Sequence, residues 1–310
     1  MRSSALRRLT RPLRHALLYS LIRALTALLK LTPLSWAQRG GELLGGLVGR
    51  LAGARLKRSV DQRLCLLMEG EPAREAREEL AMACWRDLGR RAFEWLLGRR
   101  ALALVSLSPE VQAWCDELKV EGSGARWLCL SAHLGHWELM AARLAEEGAA
   151  FVSAAAGERS GPIGRWVSAH RAQLGVQTMT PQASHRALRC FLSDGGGRAL
   201  LIDQYSRGKA TRSLSFLGRP APTLSLPSRL IERSRALGPT RILWIYCLRD
   251  PDGRYCVYGE ELSAELDPVL VASARLEALV RAQPAQWLWL NDRWADAEVT
   301  PVPLAPAEGS

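Results

Sequence analysis

Lysine is almost missing from this chain. Only Lys30, Lys57, Lys119 and Lys209 occur in 310 residues, so arginine carries nearly all of the 42 basic charges. Acidic residues are missing altogether before Glu42. The seven cysteines stand singly, are odd in number and never form a CxxC pair, which argues against zinc knuckles and a disulfide framework and fits a reducing compartment. No internal repeat, low-complexity segment or clear linker interrupts the chain, so it is neither a solenoid nor a string of modules. Histidine is sparse too: two of the five fall within "SAHLGHWELM", residues 131–140.

With 48% hydrophobic residues, a chain of this length can bury one substantial core. The formal charge of +11 draws it towards anionic membranes, acidic proteins or nucleic acid. No nucleic-acid-binding motif or interleaved aromatic pattern accompanies the charge, and nucleic acid is set aside as a partner. An arginine surplus is what a GC-rich coding sequence produces, and it also supplies planar forks for phosphate and carboxylate. Eleven tryptophans against five tyrosines and four phenylalanines favour a boundary between apolar and polar media.

The N-terminus opens with Arg2, Arg7, Arg8, Arg11 and Arg14, followed by "HALLYSLIRALTALLKLTPLSWA". Arg23 and Lys30 break that apolar stretch, and a central arginine costs a spanning helix about 2.5 to 3.5 kcal/mol. The two charges are seven residues apart and share one face of a helix, while Leu17, Leu21, Leu25, Leu28 and Leu29 cover much of the rest. Such a helix suits the interface of an anionic membrane better than a span across it. A soluble helix with a basic face and an Arg-rich transit peptide fit the same composition.

Residues 72–100 have a helical period, with Leu80, Cys84, Leu88, Ala92 and Leu96 forming an apolar stripe and the charges opposite. From residue 126 strands and helices alternate. "RWLCLS" (126–131), 149–155, 176–179 and 198–203 read as strands; 138–148, 163–174 and 183–193 read as helices. "TRILWIYCLRD" and "RYCVYGEEL" add two strands joined by the turn residues of "DPDG". The pattern predicts an α/β fold with a central mostly parallel sheet flanked by helices. Its expected division is an N-terminal basic, membrane-associating helical region over 1–60 and a single α/β domain over 61–305.

His133 follows a strand and Glu138 opens the next helix, at the end of the sheet where open α/β folds place ligands. Three readings stand on spacing alone. His133 and Glu138 form an acid/base pair that deprotonates a hydroxyl; or His133, His136 and Glu138 bind zinc, three ligands within six residues and no obvious fourth; or the histidines cap a helix packed by Trp137. No serine or cysteine sits in a nucleophile elbow, so a nucleophile would be an acceptor hydroxyl.

"LCLSAHLGHWELMAARL" resembles the first signature of the bacterial lipid A biosynthesis lauroyl/myristoyl acyltransferases, a strand followed by His-x4-Asp/Glu. "ALLIDQYSRGKATRSLSFLGRPAPT" (199–223) is similar to the family's Asp-Gln segment followed by Phe-x-Gly-x-Pro-Ala-x-Thr. "QPAQWLWLNDRW" (283–294) is similar to its closing motif, and the resemblance covers roughly residues 15–296. It implies a glycerolipid-acyltransferase-like αβα sandwich and transfer of a fatty acyl chain from acyl carrier protein to a hydroxyl of a phosphorylated glycolipid, the lipid A precursor. The place implied is the cytoplasmic face of the bacterial inner membrane, with no cofactor and no metal.

By that resemblance His133 is the general base and Glu138 its orienting partner. Arg159 matches a family arginine near the phosphorylated acceptor or the active centre, and Arg171, Asp203, Gln204 and Arg293 occupy further motif positions as substrate-binding candidates. Four of these have a plainer reading: Arg159 or Arg171 as an ion-pair residue, Asp203 as a brace for the following loop, Arg293 as an anchor. His136 stands where the family has asparagine, "GERSGPIGRW" is shortened, and Pro227 replaces a common glycine. These departures bear on the acceptor, so another glycolipid or phospholipid acceptor, or a non-catalytic lipid-binding protein of the same fold, are the alternatives.

Overall fold

The computed structural model describes residues 2–67, 74–121, 126–148, 152–153, 162–178, 189, 191–192, 196–204, 211–263 and 265–294. Helices α1 (Arg2–Leu31), α2 (Leu34–Leu51) and α3 (Ala54–Leu64) lead into α4 (Arg74–Leu96) and the short α5 (Arg99–Leu102). The sheet strands are β1 (Val105–Leu107), β2 (Arg126–Ser131), β3 (Val152–Ser153), β4 (Gln177–Thr178) and β5 (Gly196–Leu201), joined after the hairpin β6 (Thr211–Phe216) and β7 (Arg219–Leu224) by β8 (Thr240–Arg249) and β9 (Tyr255–Glu261). Between them run α6 (Pro109–Glu121), α7 (Trp137–Glu146), α8 (Pro162–Gln173), α9 (Leu226–Leu237) and α10 (Pro268–Ala282).

The seven-stranded sheet has the order β1-β9-β8-β2-β5-β3-β4. Every neighbouring pair is parallel except β8 with β9, which "DPDG" joins as an antiparallel hairpin. The sheet is therefore mixed and mostly parallel, with helices over both faces. β2 lies at its centre and alternates between two cores: Leu128 and Leu130 join Ile202, Trp244, Leu230 and Val269 on one face, while Trp127 and Cys129 join Leu139, Leu243 and Tyr255 on the other.

In α10 the Asp267 carboxylate accepts the N–H groups of Val269 (2.9 Å) and Leu270 (3.3 Å), with Pro268 at the first helical position. Arg212 of β6 reaches the same carboxylate and ties the separate β6–β7 hairpin to this helix. The hairpin turns on Leu217 (φ 50°) and Gly218 (φ 72°), the pair of positive φ values that a two-residue turn of matching twist requires. Leu217 is buried, and its N–H donates to Glu277 at 2.8 Å.

The N-terminal helices pack in an unusual sense. Gly41, Gly45 and Gly49 recur every fourth residue of α2 and lie against α4 so closely that a Cβ on Gly45 would sit 2.2 Å from the Trp85 carbonyl oxygen. A Cβ on Gly89 of α4 would meet the Gly41 oxygen at the same 2.2 Å. α2 thus turns its small residues inward, and Trp36, Leu43, Leu44, Leu47, Val48 and Leu51 are left exposed. In α1, Leu17, Leu18, Leu21, Leu28 and Leu31 are exposed as well, while Leu29 is buried with Ile22 and Leu25 packed beside it. Leu25 and Leu29 therefore face the protein rather than the outer apolar surface. Among the described residues, no helix is long and apolar enough to cross a membrane.

One expectation needs correction. The apolar stripe assigned to α4 is interrupted: Ala92 is exposed, and the buried residues include Asp87, Arg91 and Glu94, which pair with partners far away in sequence. Of the strands expected over 149–155 and 176–179, Val152–Ser153 and Gln177–Thr178 are strand, and 149–151, 154–155 and 179 lie outside the described residues. The helix expected over 183–193 lies almost wholly outside the described residues, as does Arg159.

Candidate active site

β2 and β5 are parallel neighbours with Ser131 opposite Leu201. The residues two positions beyond each strand end, His133 and Asp203, therefore emerge side by side. Asp203 Oδ2 accepts the His133 backbone N–H at 2.9 Å, and Oδ1 lies 2.8 Å from His133 Nδ1. The Trp287 indole N–H, from the closing motif, donates to Oδ2 at 3.0 Å. Asp203 is almost fully buried (2% exposed); burial alone would raise its carboxyl, but the charge and hydrogen bonds of His133 outweigh it and hold the carboxyl below the usual range.

An ionised carboxylate only accepts, so Nδ1 carries the imidazole proton and Nε2 keeps its lone pair. The Gln204 amide nitrogen lies 2.9 Å from that Nε2 and completes a chain Asp203–His133–Gln204. The Trp137 ring packs edge-on to the imidazole with centroids 5.0 Å apart. His133 itself is 8% exposed.

Glu138 does not take the place beside Nδ1 that spacing suggested. It opens α7, and its carboxylate is met in a two-pronged pair by Arg171 of α8, with Nε to Oε2 at 2.9 Å and Nη2 to Oε1. Burial would lower the Arg171 guanidinium, but this carboxylate outweighs it and raises the guanidinium above its ordinary value. The orienting carboxylate at Nδ1 is Asp203.

His136 is the N-cap of α7, its Nδ1 accepting the Leu139 N–H at 3.3 Å. Burial, and next the Arg91 charge, push it well below the usual histidine range, so it stays neutral. His133, His136 and Glu138 thus face three different partners and do not converge. Among the described residues no group of three metal-ligating side chains forms a site.

The turn that carries His133 is clamped from several sides. Gly135 has φ 54°, and a Cβ there would lie 1.7 Å from the Cys247 carbonyl oxygen. Arg91 of α4 donates to the Gly135 carbonyl at 2.6 Å, and the Gly135 N–H donates to the Gln286 carbonyl at 2.9 Å. The His133 carbonyl accepts the Leu288 N–H at 3.1 Å. Arg293, fully buried, donates to the Ile202 carbonyl at 3.1 Å and to Thr223 and Ser273 at 3.4 Å, with its guanidinium 4.7 Å from the Phe216 ring centroid. Burial brings its guanidinium down to about 10. This is an anchor beneath the β5 end, one residue before Asp203.

Residues 7–296 match the family model for bacterial lipid A biosynthesis acyltransferases. The chain belongs to this family. It is an acyltransferase of lipid A synthesis, which implies an acyl donor and a lipid A-type acceptor. No curated protein matches the chain.

In the acyltransferase the three sequence motifs meet at one place: the first carries His133, the second Asp203 and Gln204, the third Trp287. Trp287 and Arg91 were not singled out as site residues by sequence reading. Trp287 lay within a quoted motif, whereas only the fold reveals that Arg91, on a helix 44 residues upstream, grips Gly135.

Proposed function

We propose that this acyltransferase moves a fatty acyl chain from acyl carrier protein to a hydroxyl of a lipid A precursor, at the cytoplasmic face of the inner membrane, with His133 as general base. Nε2 takes the proton of the acceptor hydroxyl as its oxygen attacks the thioester carbonyl. The tetrahedral intermediate collapses with cleavage of the C–S bond, and the carrier thiolate leaves with the proton returned by the imidazolium. No metal or cofactor enters these steps. The observation that carries the reading is the Asp203–His133–Gln204 chain, which leaves the basic nitrogen on the side away from the carboxylate.

In this reading Asp203 has the orienting role, holding the tautomer and stabilising the imidazolium. Glu138, held by Arg171, is the charged wall between α7 and α8 beside the reacting atoms. Gln204 gives way to the acceptor hydroxyl and keeps its amide for the substrate, and Arg159 takes an acceptor phosphate. Arg293 acts on substrate only through the loop it anchors.

Membrane seating rests on α1 and α2. Residues 1–58 contain twelve basic residues against the single acidic Glu42, so they hold the whole net charge of +11, and the rest of the chain balances at 30 against 30. The same stretch of chain carries the exposed leucines of α1 and α2. Apolar surface and basic charge together suit an anionic bilayer.

The test is mass spectrometry of lipids from a host that lacks its own late acyltransferases and expresses this chain. A new acyl ester on lipid A identifies acceptor and chain length together. An expressed, folded protein that leaves lipid A unchanged contradicts the acceptor assignment.

A further inference from the structure

α4 buries an acidic residue that the proposed chemistry does not use. Glu94 is 0% exposed, and groups from four elements surround it. From α2, Gln38 donates its amide N–H to Oε1 at 2.8 Å. Arg90 of α4 donates to the same oxygen at 3.0 Å, and the Tyr255 hydroxyl of β9 donates to Oε2 at 2.7 Å. From the His133 turn, His136 Nε2 lies 3.8 Å from Oε2.

Two features give this cluster a direction. His136 Nδ1 accepts the Leu139 N–H, so Nε2 carries the ring proton; it has no hydrogen-bond partner and lies 3.8 Å from Glu94 Oε2, just beyond bonding distance. On the other side, Arg90 also binds Glu42 of α2 at 2.9 Å and the Gly253 carbonyl at 3.0 Å. Gln38 and Glu42 therefore both end on the Arg90–Glu94 pair, while the outer face of α2 carries Trp36, Leu43, Leu44, Leu47 and Val48 into solvent.

We propose that Glu94 is a positioning residue that couples the seating of α2 on a lipid surface to the His133 turn, by closing on His136 when α2 is pressed inward through Gln38 and Glu42. The proposal rests on His133 being the base. The path is short and rigid: α2 packs backbone to backbone on α4 through Gly41, Gly45 and Gly89, so a displacement of α2 reaches α4 without soft side chains between them. At the far end, His136 is both the α7 cap and the neighbour of Gly135, two residues from the helix start that fixes Trp137 against His133.

The experiment is hydrogen exchange of the full chain, with and without phosphatidylglycerol vesicles, read at the amides of residues 131–139. In the native protein, vesicles are expected to slow exchange of this turn about fivefold or more. Gln38→Ala, which touches neither His133 nor Asp203, is expected to bind vesicles as the native protein does but to lose that protection, with kcat reduced roughly tenfold and KM unchanged. Glu94→Gln keeps the size of the side chain but replaces one acceptor oxygen by a donor amide and removes its charge, and is expected to lose the vesicle response while folding normally.

Vesicle protection of the turn that survives in both variants would overturn the proposal, as would a native turn that vesicles leave untouched. Exchange needs no turnover. An inert His133 and a failed coupling are therefore told apart: the first appears as full activity in His133→Ala, the second as an unaltered exchange pattern.

Discussion

Asp203 holds His133 at two points, one carboxylate oxygen on its backbone N–H at 2.9 Å and the other at Nδ1 at 2.8 Å. One residue thereby sets both the path of the loop and the orientation of the imidazole. The arrangement follows from register, because two parallel strands that end opposite one another deliver the residues two positions on to the same spot.

Acid sensitivity follows from the same carboxylate. Its folded value lies below its ordinary 3.8, so the stabilisation is fully present above that value and is lost as pH falls through the folded value. Asp203→Asn removes this contribution. Urea unfolding at a series of pH values is expected to show the variant less stable than the native protein at neutral pH, with the gap narrowing only below about pH 4.

Backbone contacts make two glycines intolerant of change. Gly135→Ala places a methyl group against the Cys247 carbonyl at positive φ and is expected to cost more than about 2 kcal/mol, together with loss of activity. Gly45→Val forces α2 away from α4 and is expected to lower Tm while increasing proteolysis after residue 51. Thermal melts and limited proteolysis check both.

Much of the scaffold was legible in the sequence, for reasons that also explain what was not. β2 and β8 are apolar runs, and β9 opens on Tyr255–Tyr258 just after the turn residues of "DPDG", so local pattern suffices for them. The β6–β7 hairpin escaped notice because Pro220 and Pro222 argue against a strand, yet the pairing is a two-stranded edge where proline is tolerated. Asp87 and Arg91 looked like an outer charged face; their burial depends on Arg249 and on the Gly135 carbonyl, which no local pattern brings near. Likewise Glu138 is five residues from His133 and Asp203 is seventy, and the sheet favours the distant one. His136 as a helix cap was among the readings that spacing left open.

The Glu138–Arg171 pair is partly shielded, with side chains 18% and 25% exposed. A double-mutant cycle of Glu138→Gln and Arg171→Gln is expected to return a coupling of about 1 kcal/mol in chemical unfolding. Independent effects of the two substitutions would show that the pair is not formed in solution.

Thiol chemistry reports on the core. Burial first of all pushes Cys84 and Cys247 up to about 12 and Cys115 to about 11, and Cys129 is also raised well above its ordinary value. At pH 8 in the native state these four are expected to react with iodoacetamide more than about a hundredfold slower than a free thiol. Cys65 and Cys256, which are half-buried, are expected to be labelled before them. Peptide mapping after timed labelling gives the order.

The central claim is that His133 acts as a base held by Asp203. Its most direct measurement is kcat for acyl transfer to a lipid A precursor by folded His133→Ala, Asp203→Asn and Glu138→Gln variants beside the native enzyme. Losses of roughly 10²–10⁴-fold for His133→Ala and Asp203→Asn, with a smaller loss for Glu138→Gln, are the predicted result. Native rates in His133→Ala, or an Asp203→Asn enzyme less impaired than Glu138→Gln, would contradict it.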